Sequence, residues 1–223
     1  MLNLRGFKGF ATTYQDNSKE ANTLLLYSAI HDTPLIRFQS NIKCPDGLLI
    51  PCGSVEWCLK SLGVVVPNYY PDWLSDHLYR KVWKEDSWPL YKVFIKPADR
   101  YKRFTGFVTT GTYRKKRKPP FWCSEIIGFK NEWRYYIANG KILCGEWYAG
   151  DGINTPQAPC LNLNIPADYC GAVDFGQLET GEIALIEAQH PFACGWYGSS
   201  DTNELYIQWL IDGWDFMLRN KYH

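Results

Sequence analysis

The strongest local constraint on this chain is a dipeptide. Asn139-Gly140 sits between two β-rich runs, residues 132–138 and 141–147, in EWRYYIANGKILCGEW. Asn-Gly favours the left-handed backbone of a type I′ turn, whose twist suits two paired strands. An antiparallel hairpin is therefore expected here. A second one is expected where CGAVDFGQL and EIALIEA flank Glu179-Thr180-Gly181. Short apolar runs at 91–97 (YKVFIKP) and 121–129 (FWCSEIIGF) read as further strands.

Helical spacing occurs in other segments. Residues 18–30 and 53–63 read as short helices, and 71–85 as a third that opens on Pro71 and Asp72. Residues 33–38 read as a strand. Residues 202–220 form an amphipathic pattern with Leu205, Trp209, Leu210, Trp214, Met217 and Leu218 on the apolar face, and Ser200 to Thr202 as a cap. The order gives a small α/β region over 1–90, then a unit over 91–223 of strands, hairpins and a closing helix. That is an α+β architecture with antiparallel sheet.

Composition narrows the function classes. With 223 residues, 46% hydrophobic and 16% aromatic, the chain can bury one sizeable core or two small lobes around a cleft. A net charge of +1 gives no global field for nucleic acid or an acidic membrane. No run approaches the ~18 apolar residues of a membrane span, and the start, MLNLRGFKGF, lacks a secretory apolar core. None of the eight cysteines, Cys44, Cys52, Cys58, Cys123, Cys144, Cys160, Cys170 and Cys194, forms a C-x-x-C pair, which disfavours a zinc ribbon or thioredoxin-type site. Reduced thiols in a cytosol-like compartment are expected.

Two acidic residues stand out. Asp174 and Glu187 lie on apolar strands, where a carboxylate needs a cation or hydrogen-bond donors. Paired strands lie ~5 Å apart, close enough for two carboxylates to share a metal ion. If Leu178 faces Glu182, then Asp174 faces Ile186, and Glu187 needs a bulge to come opposite. Gln189 follows on the same strand face and adds an amide oxygen, so the set Asp174, Glu187 and Gln189 suits Mg²⁺. The same pattern also fits two strand-end acids paired with Lys or Arg.

Lys96 closes VFIKP, where it meets a phosphate as a point charge or snorkels from a strand end. Lys102, Arg103, Thr105 and Gly106 follow in RYKRFTG. Arg134 shares a strand face with Glu132 and Tyr136, and either clamps an anion or pairs across the hairpin with Glu146. RKKRKPP, residues 114–120, reads as an exposed loop in a near-neutral chain. His190, alone after the second hairpin, reads as a structural residue.

Taken in order, these segments resemble the ATP-grasp superfamily from about residue 91 onward. VFIKP resembles the strand whose Lys, here Lys96, binds ATP phosphates. CSEIIGF resembles the hinge strand whose backbone holds adenine, which would place Glu125, Ile126 and Ile127 at the base. EWRYYIANGKIL resembles the hairpin with a phosphate-facing Arg, here Arg134. VDFGQLETGEIALIEAQ resembles the closing Asp, then Glu-x-Asn, and implies Asp174, Glu187 and Gln189 as Mg²⁺ ligands; Gln189 departs from the usual Asn. KPADRYKRFTGFV, SEIIGFKNEWRYYI and GWYG resemble a small ATP-grasp family of bacteria and their viruses.

The resemblance implies two α+β lobes with ATP between antiparallel sheets, Lys102 among the nucleotide contacts, and a cytoplasmic, ATP- and Mg²⁺-dependent ligase. Its partners would be a carboxylate and an amine, small molecules or peptides. A Gly-rich lid is missing, and RYKRFTG stands in its place. A non-catalytic nucleotide-binding module and a nucleic-acid binder using RKKRK are the competing readings.

Overall fold

The structure is a computed structural model that describes residues 2–44, 48–62, 68–98, 103–112, 117–150, 155–193 and 195–220. The N-terminal part begins with β1 (Phe10–Thr13), α1 (Lys19–His31), β2 (Leu35–Phe38), β3 (Ile50–Pro51) and α2 (Val55–Leu62). β1 pairs in parallel with both β2 and β3, giving the order β2-β1-β3. α1 starts where its sequence allows, with the Ala21 amide donating to Ser18 Oγ at 3.2 Å. Ser54 caps α2 in the same way, accepting from the Trp57 amide at 3.2 Å. Glu56 pairs with Lys60 one turn on, at 3.0 Å.

The helix expected over 71–85 does not form. Asp72–His77 is a 3₁₀ turn, Tyr79 takes φ 51°, and the chain then enters β4 (Val82–Glu85). A left-handed tyrosine ends helical propagation, and β-branched Val82 with Trp83 suits the strand that follows. β4 joins β5 (Lys92–Pro97), β6 (Phe107–Thr110) and β7 (Phe121–Ser124) in an antiparallel sheet of order β4-β7-β5-β6. β7 is shorter than the run 121–129 suggests, because the chain leaves the ladder after Ser124. A boundary at residue 90 falls between β4 and β5, which share this sheet.

The second sheet contains β8 (Asn131–Ala138), β9 (Lys141–Gly150), β10 (Gly171–Gln177) and β11 (Ile183–Gln189), in the order β11-β10-β8-β9. Asn139 and Gly140 take φ 48° and 70°, the turn that joins β8 to β9. The Asn139 side chain also donates to buried Asp212 at 3.0 Å, and Arg5 meets that carboxylate at 2.6 Å. One side-chain cluster thus ties the hairpin turn, the N-terminus and α3 (Asn203–Arg219) together. α3 begins after a 3₁₀ turn at Ser200–Thr202, and no side chain caps it. Its buried face holds Tyr206, Ile207, Trp209, Leu210, Trp214 and Met217, while Leu205 stays 37% exposed, off the face assigned from spacing.

The central four-stranded sheet is apolar on both faces. Tyr136 and Ala172 pack with α3, α1 and β1 in one core, and Trp133, Tyr135, Val173, Phe175 and Leu185 form another with Leu74. A smaller core of Trp88, Val93, Ile95, Phe104 and Phe121 fills the β4–β7 lobe. No described helix is long and apolar enough to cross a membrane.

Candidate active site

Strand alternation aims the chemistry of β5. Val93 and Ile95 point into the lobe core, so Phe94 and Lys96 point the other way. Lys96 is 7% exposed, and its ammonium pairs with the Glu187 carboxylate of β11. It also lies 4.3 and 4.4 Å from the ring centroids of Tyr69 and Tyr70. Burial alone would lower the Lys96 pKa, but Glu187 and Tyr70 outweigh it and hold the pKa above the ordinary 10.5. The two lobes thus meet through an ion pair.

The one-residue offset in the second hairpin is absorbed by a register shift between Asp174 and Phe175, which brings Asp174 opposite Glu187. On its other side Asp174 faces Arg134. Arg134 binds it with both arms of the guanidinium, Nε to Oδ1 and Nη2 to Oδ2, each at 2.7 Å. Glu146 lies beside Arg134 in the β8–β9 register, yet the guanidinium turns to Asp174 for its ion pair. Gln189 Nε2 donates to Asp174 Oδ2 at 3.0 Å and to Glu187 Oε1 at 2.5 Å. Lys96, Glu187, Gln189, Asp174 and Arg134 therefore form one continuous network of two cations, two carboxylates and a bridging amide.

The Arg134 guanidinium is stacked as well as paired. It lies 5.5 Å from the Tyr148 ring and 5.2 Å from the Tyr197 ring, and Nη1 donates to the Gly195 carbonyl at 3.3 Å. Burial, then the Asp174 and Glu132 carboxylates, push the Tyr148 phenol far up, so it stays neutral.

A cavity of about 340 Å³ runs from Lys96 and Glu187 to the segment after β7, with Glu125, Ile126 and Ile127 in its wall. Phe94, Phe129 and Ile186 supply apolar surface there. The Glu125 carboxylate accepts from the Lys81 amide at 2.9 Å, which fixes the start of the hinge. A second cavity of about 240 Å³ opens on Lys96 and Glu187 from Thr105 and Gly106. Apolar walls at one end and paired charges at the other suit a ligand with an aromatic base and an anionic tail.

The structure thus brings together Lys96, Arg134, Asp174, Glu187 and Gln189, and sets Glu125, Ile126 and Ile127 along the adjoining cavity. Lys102 lies outside the described residues, as do Cys194 and residues 114–116 of the basic run. Arg117 of that run lies over the Phe104 ring at 4.9 Å. His190 stacks on Phe192, 5.9 Å between ring centroids, as a structural residue would.

The carboxylate oxygens of Asp174 and Glu187 are the donors a hard divalent cation takes. Among the described residues no cluster of three His, Cys, Asp or Glu is placed to hold a metal. Mg²⁺ usually keeps waters and substrate phosphates, so two carboxylates suffice for it. Gln189 as placed presents its NH₂ to both carboxylates, so as an oxygen donor it would need the opposite amide orientation. Sequence reasoning missed Arg80, Tyr70 and Glu132 in the cavity wall. The Arg80 guanidinium bonds the carbonyls of Leu185 and Ile186 in β11, the latter at 2.9 Å, a contact that no local motif announces.

This architecture, with a cleft between two antiparallel sheets and paired charges at its mouth, is that of an ATP-grasp protein. The chain belongs to an ATP-grasp domain family, the second of its clade, whose profile matches residues 73–207, more than half its length. No curated protein matches the sequence. Among solved structures it is similar to D-alanyl-alanine synthetase A from Vibrio cholerae, at 10% identity and TM-score 0.49, covering 96% of this chain and 99% of that one. It is similar too to a RimK-domain ATP-grasp protein from Sphaerobacter thermophilus, at 11% identity and TM-score 0.49, covering 94% and 99%. A third is D-alanine–D-alanine ligase from Bacillus anthracis complexed with ATP, at 12% identity and TM-score 0.47, covering 96% and 97%.

Proposed function

We propose that this protein is an ATP- and Mg²⁺-dependent ligase that activates a carboxylate as an acylphosphate and joins it to an amine. The observation that carries the reading is the convergence of Lys96, Arg134, Asp174 and Glu187 beside the cavity walled by Glu125, Ile126 and Ile127. In this reading the base lies against the hinge and the apolar walls, and the phosphates reach Lys96 and Arg134. Mg²⁺, held by Asp174 and Glu187, supplies charge neutralisation at the phosphates. Gln189 holds the two carboxylates side by side. Lys96 and Arg134 stabilise charge on the transferring phosphoryl group, so the protein contributes position and electrostatics.

Ligand entry must exchange partners. Each cation is paired with a carboxylate, so phosphates and Mg²⁺ would take over both halves of the network together. The proposal includes a nucleotide-binding unit that begins before β4, and a reducing, cytosol-like compartment. Mass spectrometry of ATP reactions with pooled amino acids, peptides and cell extract tests the reading. It predicts ADP, phosphate and a new amide product, all lost in Glu187→Gln. Amide formation at the wild-type rate in that variant would refute the site assignment.

A further inference from the structure

A further cavity, of about 490 Å³, lies away from the hinge, with Thr13 at the end of β1 and Cys52, Gly53 and Ser54 just after β3 in its wall. In open α/β sheets the crevice outside the carboxyl ends of the strands, where the strand order reverses, is where ligands bind. β1 lies between β2 and β3, so this cavity stands at such a place.

Its wall is acidic. Asp16 and Glu20 line it, and among the described residues no Lys, Arg or His does. The starts of α1 and α2 face the same space, and a helix start by itself attracts anions. Here those amides are occupied by the chain's own oxygens. The Ser18 amide donates to Asp16 Oδ1 at 2.9 Å, the Ala21 amide to Ser18 Oγ at 3.2 Å, and the Trp57 amide to Ser54 Oγ at 3.2 Å. What remains to meet a ligand is carboxylate. Glu20 Oε1 accepts from the Trp196 amide, and among the described residues Oε2 has no hydrogen-bond partner. Thr13 is only 8% exposed and lines the cavity, and among the described residues its hydroxyl makes no hydrogen bond. A buried hydroxyl without a partner is costly unless a ligand or water completes it.

We propose that this cavity binds the primary ammonium group of a substrate, held by Asp16 and Glu20 with the Thr13 hydroxyl as a further acceptor. Its position connects it to the reaction. Gly195 lines the cavity, and its carbonyl accepts from Arg134 Nη1 at 3.3 Å and from the Tyr136 hydroxyl at 2.6 Å. One peptide group separates the amine cavity from the guanidinium assigned to phosphate. The assignment of this amine as the ligase acceptor rests on the proposed function; its binding does not.

Calorimetry on the full chain without nucleotide tests the inference, using butylamine, L-alanyl-L-alanine, N-acetyl-L-alanyl-L-alanine and butyrate. The two free amines should bind saturably, and the acetylated peptide and butyrate should not. Tighter binding of the peptide than of butylamine assigns a peptide N-terminus, and the reverse assigns a simple amine. Asp16→Asn and Glu20→Gln each keep the oxygen that accepts a backbone amide, so both should fold, and each should weaken amine binding about tenfold. Thr13→Val, with similar volume and no hydroxyl, should weaken it by a smaller factor. The proposal is overturned if neither amine binds saturably, if butyrate binds as well as butylamine, or if both carboxylate variants melt normally and keep wild-type amine affinity. Loss of ATP-dependent amide formation with amine binding intact would count against the ligase reading alone.

Discussion

Arg134 and Asp174 have side chains only 7% and 3% exposed, so their charges depend on each other. Breaking such a pair from one side leaves the other charge buried, at about 3–5 kcal/mol. Asp174→Asn should therefore lower the urea midpoint by that order of stability as well as abolish turnover, and chemical denaturation measures it. Glu187 is 18% exposed at its side chain and is the cleaner probe: Glu187→Gln should lose turnover with a much smaller stability loss. Equal destabilisation by the two variants would mean that the network is shared differently from its geometry. Lys96 gives a pH prediction. Its folded pKa is raised above the ordinary 10.5, so its ion-pair stabilisation is fully present below that value and lost as pH rises through the folded pKa. ATP affinity should thus show no titration of Lys96 between neutral pH and about 10. A midpoint near pH ~8 that disappears in Lys96→Arg would speak against it.

Among the elements, the paired strands were legible because their signals are local. Asn139-Gly140 sets its own turn, and the odd register of Asp174 and Glu187 could be counted from the loop at 179–181, bulge included. Ser18 announced α1 by side-chain chemistry alone. The segment 71–85 misled because Pro71 and Asp72 do start a turn, but Tyr79 then adopts a backbone that a sequence pattern does not mark. The partners Lys96 and Glu187 are 91 residues apart, so sequence offered each residue without its mate. Close packing of elements gives a further test. A Cβ on Gly176 of β10 would meet the Phe129 ring at 2.2 Å, and Phe129 lines the hinge-side cavity. Gly176→Ala should cost about 1–3 kcal/mol by overpacking and weaken adenosine binding by displacing that ring. Thermal melting and calorimetry with adenosine check both. Unchanged adenosine affinity would separate this cavity from the base.

In the molecule as a unit, few described contacts join the β4–β7 lobe to the central sheet at the cleft. Lys96 with Glu187 is one, and Arg80 on the β11 carbonyls is another. Arg80→Met should speed amide hydrogen exchange in β11 and β4 while leaving α3 protected, because α3 packs in a different core. Faster exchange throughout would instead mean general destabilisation. The ligase reading stands or falls on one cleft that holds the base at residues 125–127 and the phosphates with Mg²⁺ at Lys96, Arg134, Asp174 and Glu187. Calorimetry of ATP and adenosine, with and without Mg²⁺, on the wild type and Glu187→Gln decides it. Mg²⁺ should tighten ATP but not adenosine, and Glu187→Gln should remove the Mg²⁺ effect while adenosine binds as before. ATP affinity indifferent to Mg²⁺, or a Mg²⁺ effect that survives in Glu187→Gln, would break the assignment.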